Sequence, residues 1–193
     1  MRKLVLAMNV TLDGFADHTV MIADEELLEF FSSLLDDTGI ELFGRVTYQL
    51  MDPYWPDVSR QRTDSKSTLD FADKFNSIPK IVFSSTLEKA EWNNTTLVRE
   101  NALEHVARLK EMRGKNLFIG GIKLAGSLMG HGLVDEYWLL VHPVVVGKGR
   151  RLFEGLSRKV NLKLIETKAL KSGVVAFHYR AQSKVVDSES GKR

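Results

Sequence analysis

The sequence predicts an α/β fold with a mostly parallel central sheet, flanking helices and antiparallel strands toward the C-terminus. Three patterns carry that expectation. The run 4–10 is almost unbroken apolar, as in a strand buried on both faces of a parallel sheet. Short apolar runs at 40–43, 81–83 and 117–119 lead into glycine or serine turns, and apolar residues at helical spacing recur between the runs. From residue 136 onward three long strand candidates follow one another with no helix between them.

Taken in order, residues 4–10 open the fold as its central strand. The segment 11–23 is polar, and Asp24 is placed to cap a helix presenting Leu27, Leu28, Phe31 and Leu35 on one face. The acidic first turn, Asp24-Glu25-Glu26, suits the positive end of that helix. Residues 40–43 form a second strand that runs through Gly44 into a helix carrying Val46, Leu50 and Met51, closed by Tyr54-Trp55-Pro56. Residues 57–66 read as a polar loop and the most mobile region, followed by a weak helix around Leu69, Phe71, Ala72 and Phe75.

A third strand at 81–83 stops at Ser84-Ser85, and 96–99 is a candidate fourth. Asn101 with Glu104 resembles a capping box before a helix lined by Leu103, Val106, Ala107 and Leu109. Residues 117–119 enter Gly120-Gly121, and 124–129 continue as a short helix. The strand candidates 136–146, 161–170 and 174–182 should pair antiparallel, the last two joined at Lys171-Ser172-Gly173. One domain is expected over 1–182, and the polar tail 183–193 reads as flexible.

Composition narrows the function. The 193 residues suffice for one substantial core. Lys and Arg exceed Asp and Glu only by 27 to 25, so nucleic acid is not an expected partner. The absence of cysteine excludes disulfides, thiolate nucleophiles, Fe–S clusters and cysteine-ligated zinc. Asn9 and Asp13 interrupt the N-terminal apolar run before a signal core or membrane span can form, which predicts a cytoplasmic protein with no membrane partner. The five histidines lack metal-site spacing, and no metal is assigned.

Ligands of open α/β sheets bind outside the carboxyl ends of the strands, so the three turns are expected to line one cleft. Gly44 permits close backbone approach, the Arg45 guanidinium can bind phosphate, and Thr47 adds a hydroxyl donor. Ser84 and Ser85 offer hydroxyls and amides at the next strand end. Gly120 and Gly121, followed by Ile122, Lys123 and Leu124, place amides where a pyrophosphate can rest. Each turn alone is equally a packing feature; their common context favours an extended nucleotide.

These segments resemble the three cofactor-contacting segments of dihydrofolate reductase, in the same order. The similarity is stronger to the C-terminal reductase domain of the bifunctional riboflavin-biosynthesis deaminase/reductase, through Thr11-Leu12-Asp13-Gly14 and Pro143-Val144-Val145-Val146-Gly147-Lys148-Gly149 with Leu152-Phe153. The resemblance implies a dihydrofolate-reductase-like three-layer fold and NADPH as cofactor. It implies that Arg45, Ser84 and Ser85 recognise the 2′-phosphate side, and that Thr47, Gly120 and Gly121, with Ile122 and Leu124, hold the remaining phosphates. The zinc-binding residues of a deaminase are absent.

The expected reaction is hydride transfer to a small polar heterocycle. The first substrate is 5-amino-6-(5-phosphoribosylamino)uracil and the second a dihydrofolate or pterin, while a catalytically inactive nucleotide-binding regulatory protein is the alternative class. Asp13 is the first carboxylate candidate for protonation and Glu25 the second, against the competing readings of an Asp-Gly turn and a helix-dipole partner. Lys148, Arg150 and Arg151 either hold a substrate phosphate or form a solvated loop or a subunit contact. A homodimer is expected, with Trp138, Leu140 and His142 forming either its interface or internal core.

Overall fold

Leu4–Thr11 (β1) lies inside an eight-stranded sheet that organises the rest of the chain. The structure, a computed structural model, describes residues 1–156 and 158–182, so the expected tail 183–193 lies outside the described residues. After β1 come α1 (Glu25–Leu35), β2 (Thr38–Gly44), α2 (Arg45–Met51), α3 (Trp55–Gln61), α4 (Lys66–Ser77) and β3 (Lys80–Phe83). Next are β4 (Thr95–Val98), α5 (Ala102–Glu111), β5 (Asn116–Ile119) and α6 (Ile122–Gly130), then β6 (Glu136–His142), β7 (Leu162–Ala169) and β8 (Val175–Ala181).

The strand order is β4-β3-β2-β5-β1-β6-β8-β7. Strands β1 to β6 are mutually parallel, and β8 runs antiparallel between β6 and β7. This is the mostly parallel sheet with antiparallel C-terminal strands that the sequence predicts.

Side chains alternate between two helix layers with the period of a strand. Leu4 and Leu6 face α5 and α6, where they pack with Val106, Leu109, Ala125 and Leu128. Val5 and Ala7 face α1 through Leu27 and Phe30. Farther along that second layer, Phe43 and Val82 meet Phe71 and Phe75 of α4. Trp138 and Leu140 also belong to the internal α1 layer, with Trp138 edge-on to Phe30 at 5.2 Å, and His142 is fully buried. That face is core, and it is not available as a dimer interface.

Local chemistry explains where elements begin. Asp24 caps α1 as expected, accepting from the Leu27 amide at 2.8 Å. Four local readings are corrected by the structure. Pro56 starts α3 instead of closing α2, because a proline near a helix start removes no needed donor. The supposed mobile loop is therefore largely helical, with Val58 buried and Asn76 Nδ2 tying the Trp55 carbonyl and Ser59 hydroxyl to α4. Asn101 adopts a left-handed φ of 54° and makes no side-chain cap, so Glu104 is left to pair with Arg108 along α5. Strand β6 stops at His142, since Pro143 has no amide to donate to a ladder.

Beneath the α4 layer, Glu41 and Lys80 occupy paired positions on β2 and β3, both almost fully buried. The Lys80 ammonium donates to the carbonyls of Phe75 and Ile78, each at 2.7 Å, which closes the C-terminal end of α4. Glu41 has no hydrogen-bond donor on either carboxylate oxygen among the described residues. Burial accordingly pushes its carboxyl up to about 8, opposed by the Lys80 charge. Between the ordinary carboxylate range and that value the folded chain holds a proton the unfolded chain has lost, so this group makes stability fall as pH rises. Glu41→Gln is expected to melt at higher temperature than the native chain at pH 7.5, with the gap shrinking at pH 5. An identical gap at both pH values would show that Glu41 is ionised throughout.

Candidate functional site

The parallel register brings the carboxyl ends of β1, β2, β3, β5 and β6 to one edge, and it makes that edge uneven. Strand β5 ends at Ile119 opposite Leu6, whereas β1 continues beside β6 until Thr11 meets His142. Strand β2 ends at Gly44 opposite Phe83 of β3. The result is a step, low over β3, β2 and β5 and walled by the projecting ends of β1 and β6. Its low part spans three strand intervals from β3 to β1, about 14 Å at ~4.8 Å per strand. The helix after β2 joins the α4 layer through Tyr48, while the helix after β5 joins the α5 layer through Ala125 and Leu128. The sheet therefore has its topological switch between β2 and β5, where open α/β sheets bind ligands.

The structure brings the first and third turns into contact. Gly121 has a φ of +97°, and a Cβ there would collide with Thr47 Oγ1, so this glycine lets α2 dock against the start of α6. Its amide faces Met8 Sδ at 3.1 Å, a weak acceptor. Gly120, in contrast, has open space where a side chain would stand. Gly44 sits in ordinary contact distance of Leu124, with an ideal Cβ 3.7 Å from the leucine Cβ. Among the described residues neither α2 nor α6, which begins at Ile122, has a side-chain N-cap, which leaves first-turn amides at both helix starts for another acceptor. Arg45 is exposed at the start of α2 and makes no ion pair among the described residues.

Ser84 lies half-buried at the end of β3, and Ser85 beside it is exposed. The Ser84 hydroxyl oxygen accepts from the amides of Thr86 and Leu87 at 3.2 and 2.9 Å, leaving its proton to donate outward. Arg99 clamps this turn from the end of β4, donating to the Leu87 and Glu88 carbonyls at 2.9 Å each. Sequence reasoning missed Arg99, whose one local signal is a lone arginine after a short strand. Trp55 packs on Phe71 at 4.7 Å in the α3–α4 core and takes no part in the site.

The two carboxylates expected to protonate substrate are placed differently. Asp13 Oδ1 accepts from the Thr11 hydroxyl at 2.6 Å, and Oδ2 accepts from the amides of Gly147 at 2.7 Å and Val146 at 3.2 Å. The Thr11 bond, aided by those amides, holds its carboxyl below the usual range against opposing desolvation. Asp13 is thus an ionised tether joining the loop after β1 to the segment after β6, a poor proton donor. That loop is zipped further by Leu12 N to Val144 O and Ala16 N to Arg150 O, both 2.9 Å. Glu25 lies in a polar groove of about 420 Å³ between α1 and α4, with Glu29, Asp36, Lys66 and Lys74. This groove belongs to the helix layer and lacks the uncapped amides of the strand ends, so we place the site at the step. The carboxylate at the start of α1 whose charge acts on the strand-end His142 is Asp24, not Glu25. Among the described residues, no acid/histidine/cysteine cluster fit to hold a metal is found, and no helix is long and apolar enough to cross a membrane.

Comparison with known proteins bears on the family and the fold. The family pattern of the RibD C-terminal domain matches residues 2–176. The chain is 33% identical over 182 residues to the uncharacterized protein YyaP of Bacillus subtilis strain 168, covering 92% of this chain and 94% of that one. The fold matches a putative riboflavin biosynthesis protein from Shewanella sp. PV-4 with a TM-score of 0.70 at 18% identity, over 94% of this chain and 99% of the other. It also matches dihydrofolate reductase from Enterococcus faecalis complexed with NADP(H), with a TM-score of 0.61 at 13% identity, over 94% and 97% of the two chains. At such identities these likenesses show the fold.

Because Asp13 holds two backbone amides, Asp13→Ala should speed hydrogen exchange at Val146 and Gly147 at neutral pH. A carboxyl with a lowered folded pKa contributes fully above its unfolded value and loses its contribution as pH falls through the folded one. Native protection at these amides should therefore persist at pH 5 and fade only below the ordinary carboxylate range. Unchanged exchange in the variant would remove the tether.

Proposed function

The chain belongs to the RibD C-terminal domain family, and on that premise we propose that it is an NADPH-dependent reductase of a pyrimidine- or pteridine-like small molecule. One observation carries the cofactor reading: two helix starts without side-chain caps, with open space at Gly120 and an Arg45 that makes no ion pair among the described residues, meet at the switch point of the sheet. A dinucleotide needs amide donors, a cation and close backbone approach, and the low part of the step offers all three.

Under this reading NADPH, when bound, supplies a hydride. Arg45, Ser84 and Ser85 recognise the 2′-phosphate, with Arg99 fixing the shape of the serine turn. Thr47 and the Gly120-Gly121 segment, with Gly44, Ile122 and Leu124 around them, hold the other phosphates. The projecting ends of β1 and β6 present the acceptor, so that binding fixes the reacting groups against each other. The proposed first substrate is 5-amino-6-(5-phosphoribosylamino)uracil. The observation favouring a phosphorylated substrate over a dihydrofolate or pterin is that Lys148, Arg150 and Arg151 are all exposed at this edge without carboxylate partners among the described residues. The reading keeps the protein in the cytoplasm.

We also propose a homodimer. Leu139, Val141, Phe177 and Tyr179 share the sheet face opposite Trp138 and are only half-buried, and Leu164 beside Tyr179 is 49% exposed. Strand β7 ends the sheet with an open edge, which a second copy would cover.

Titration of native protein is expected to show tighter binding of NADPH than NADH. Arg45→Ala should lose roughly 1.5 kcal/mol or more of NADPH binding, the worth of a charge-assisted hydrogen bond, and little NADH binding. Equal native affinities would reject the 2′-phosphate assignment. Turnover across a pyrimidine and pteridine panel separates the reductase from a regulatory protein that binds cofactor without oxidising it. Sedimentation at micromolar concentration should give a dimer mass that Leu164→Glu shifts toward monomer. A monomeric native chain would rule the dimer out.

A further inference from the structure

Asparagine is uncommon in strands, yet Asn9 interrupts the apolar run of β1, on the stretch that projects past β5. Its side chain belongs to the same sheet face as Val5 and Ala7, toward α1, and it is partly exposed. Across the ladder it pairs with Leu140 of β6, and no strand flanks its other side because β5 has already ended. The neighbouring Met8 touches the Gly121 amide, so Asn9 stands at the inner corner of the step.

Its partner is His142, the fully buried last residue of β6. Nδ1 of His142 lies 3.1 Å from the amide of Ile22, and Nε2 lies 3.0 Å from Asn9 Oδ1. An amide N–H can only donate, so Nδ1 carries a lone pair. Burial lowers the His142 pKa, partly opposed by the charge of Asp24, and a neutral ring with a bare Nδ1 must carry its proton on Nε2. That proton is donated to Asn9, which fixes the amide with its oxygen toward His142. The Asn9 NH2 group then keeps two donors with no acceptor among the described residues.

We infer that Asn9 is a substrate-orienting residue that donates to a carbonyl oxygen of a planar heterocycle at the inner corner of the step, and that His142 is the positioning residue that fixes its amide. The ligand class is a ring lactam, such as a pyrimidinone. The proposal rests on the reductase reading, since it places the acceptor ring beside the proposed cofactor segment. It assigns the function of orientation to a residue that need not transfer a proton. Asp13 and Glu25 are not required for it.

The test uses the full chain and 5,6-diaminouracil as probe. Nitrogen-15 spectra of the His142 imidazole should show the neutral Nε2–H tautomer; an Nδ1–H tautomer or a protonated ring at pH 7 would overturn the orientation argument. Native protein should bind the probe, and Asn9→Ala should weaken it roughly three- to tenfold, as expected for one neutral hydrogen bond. Asn9→Asp, which offers no donor, should lose as much. His142→Gln, able to accept from Ile22 and donate to Asn9, should retain more probe affinity than His142→Leu. NADPH affinity, measured in parallel on each variant, should stay native, which also reports that the variants are folded. Absence of probe binding to native protein, or equal affinity in Asn9→Ala, would reject the proposal. Failure of native protein to bind NADPH would instead strike the reductase reading, and the tautomer and probe titrations without cofactor would still decide the role of Asn9.

Discussion

The register between β5 and β1 is the constraint on which the site depends. Because Ile119 pairs with Leu6 and is the last residue of β5, the chain must leave the sheet there while β1 runs on to Thr11. The departing backbone makes its turn at Gly120-Gly121, against α2 and under Met8. A side chain at Gly121, whose backbone lies in a region that glycine almost alone adopts, would face a penalty of about 1–3 kcal/mol and, in addition, a collision with Thr47. Packing alone therefore accounts for one glycine of the pair. It leaves the open space at Gly120 without a structural purpose, and that distinction supports reading the step as a binding surface.

The projecting side of the step is held by polar contacts between segments far apart in the chain. Asp13 gathers Thr11, Val146 and Gly147, the Phe15–Arg151 bridge continues the zipper, and His142 joins Ile22 to Asn9. Buried or half-buried polar groups cost free energy unless satisfied, so these pairings fix loops that could otherwise move. The low side of the step is built differently, from helix starts without side-chain caps and small residues that leave donors free among the described residues. A rigid corner beside a donor-rich floor is the geometry expected where one ligand must be aligned against another.

Much of the fold was legible because its signals are local. Continuous apolar runs marked the parallel strands, Asp24 marked the start of α1, and the three glycine and serine turns marked the strand ends. The misread boundaries were also local, but each had two meanings. Pro56 can stop a helix or start one, and only the packing of Val58 and the Asn76 contacts decide between them. Asn101 carries a capping side chain, but its left-handed backbone turns that side chain away from the task. What no local pattern could reveal was pairing across distance. Asn9 and His142 are separated by 133 residues, and Asp13 and Gly147 by 134. Read alone, His142 is a strand residue and Asp13 half of a turn. The role of each follows from the parallel pairing of β1 with β6.

The central claim is that a dinucleotide lies along the low part of the step from β3 to β1. Mapping backbone amide shifts in nitrogen-15-labelled protein during an NADPH titration tests it most directly. The account predicts saturable changes at Gly44, Thr47, Ser84, Ser85, Gly120, Gly121 and Ile122, with Glu29, Ser33 and Lys74 in the α1–α4 groove unmoved. Changes confined to that groove, or none at any strand end, would contradict it.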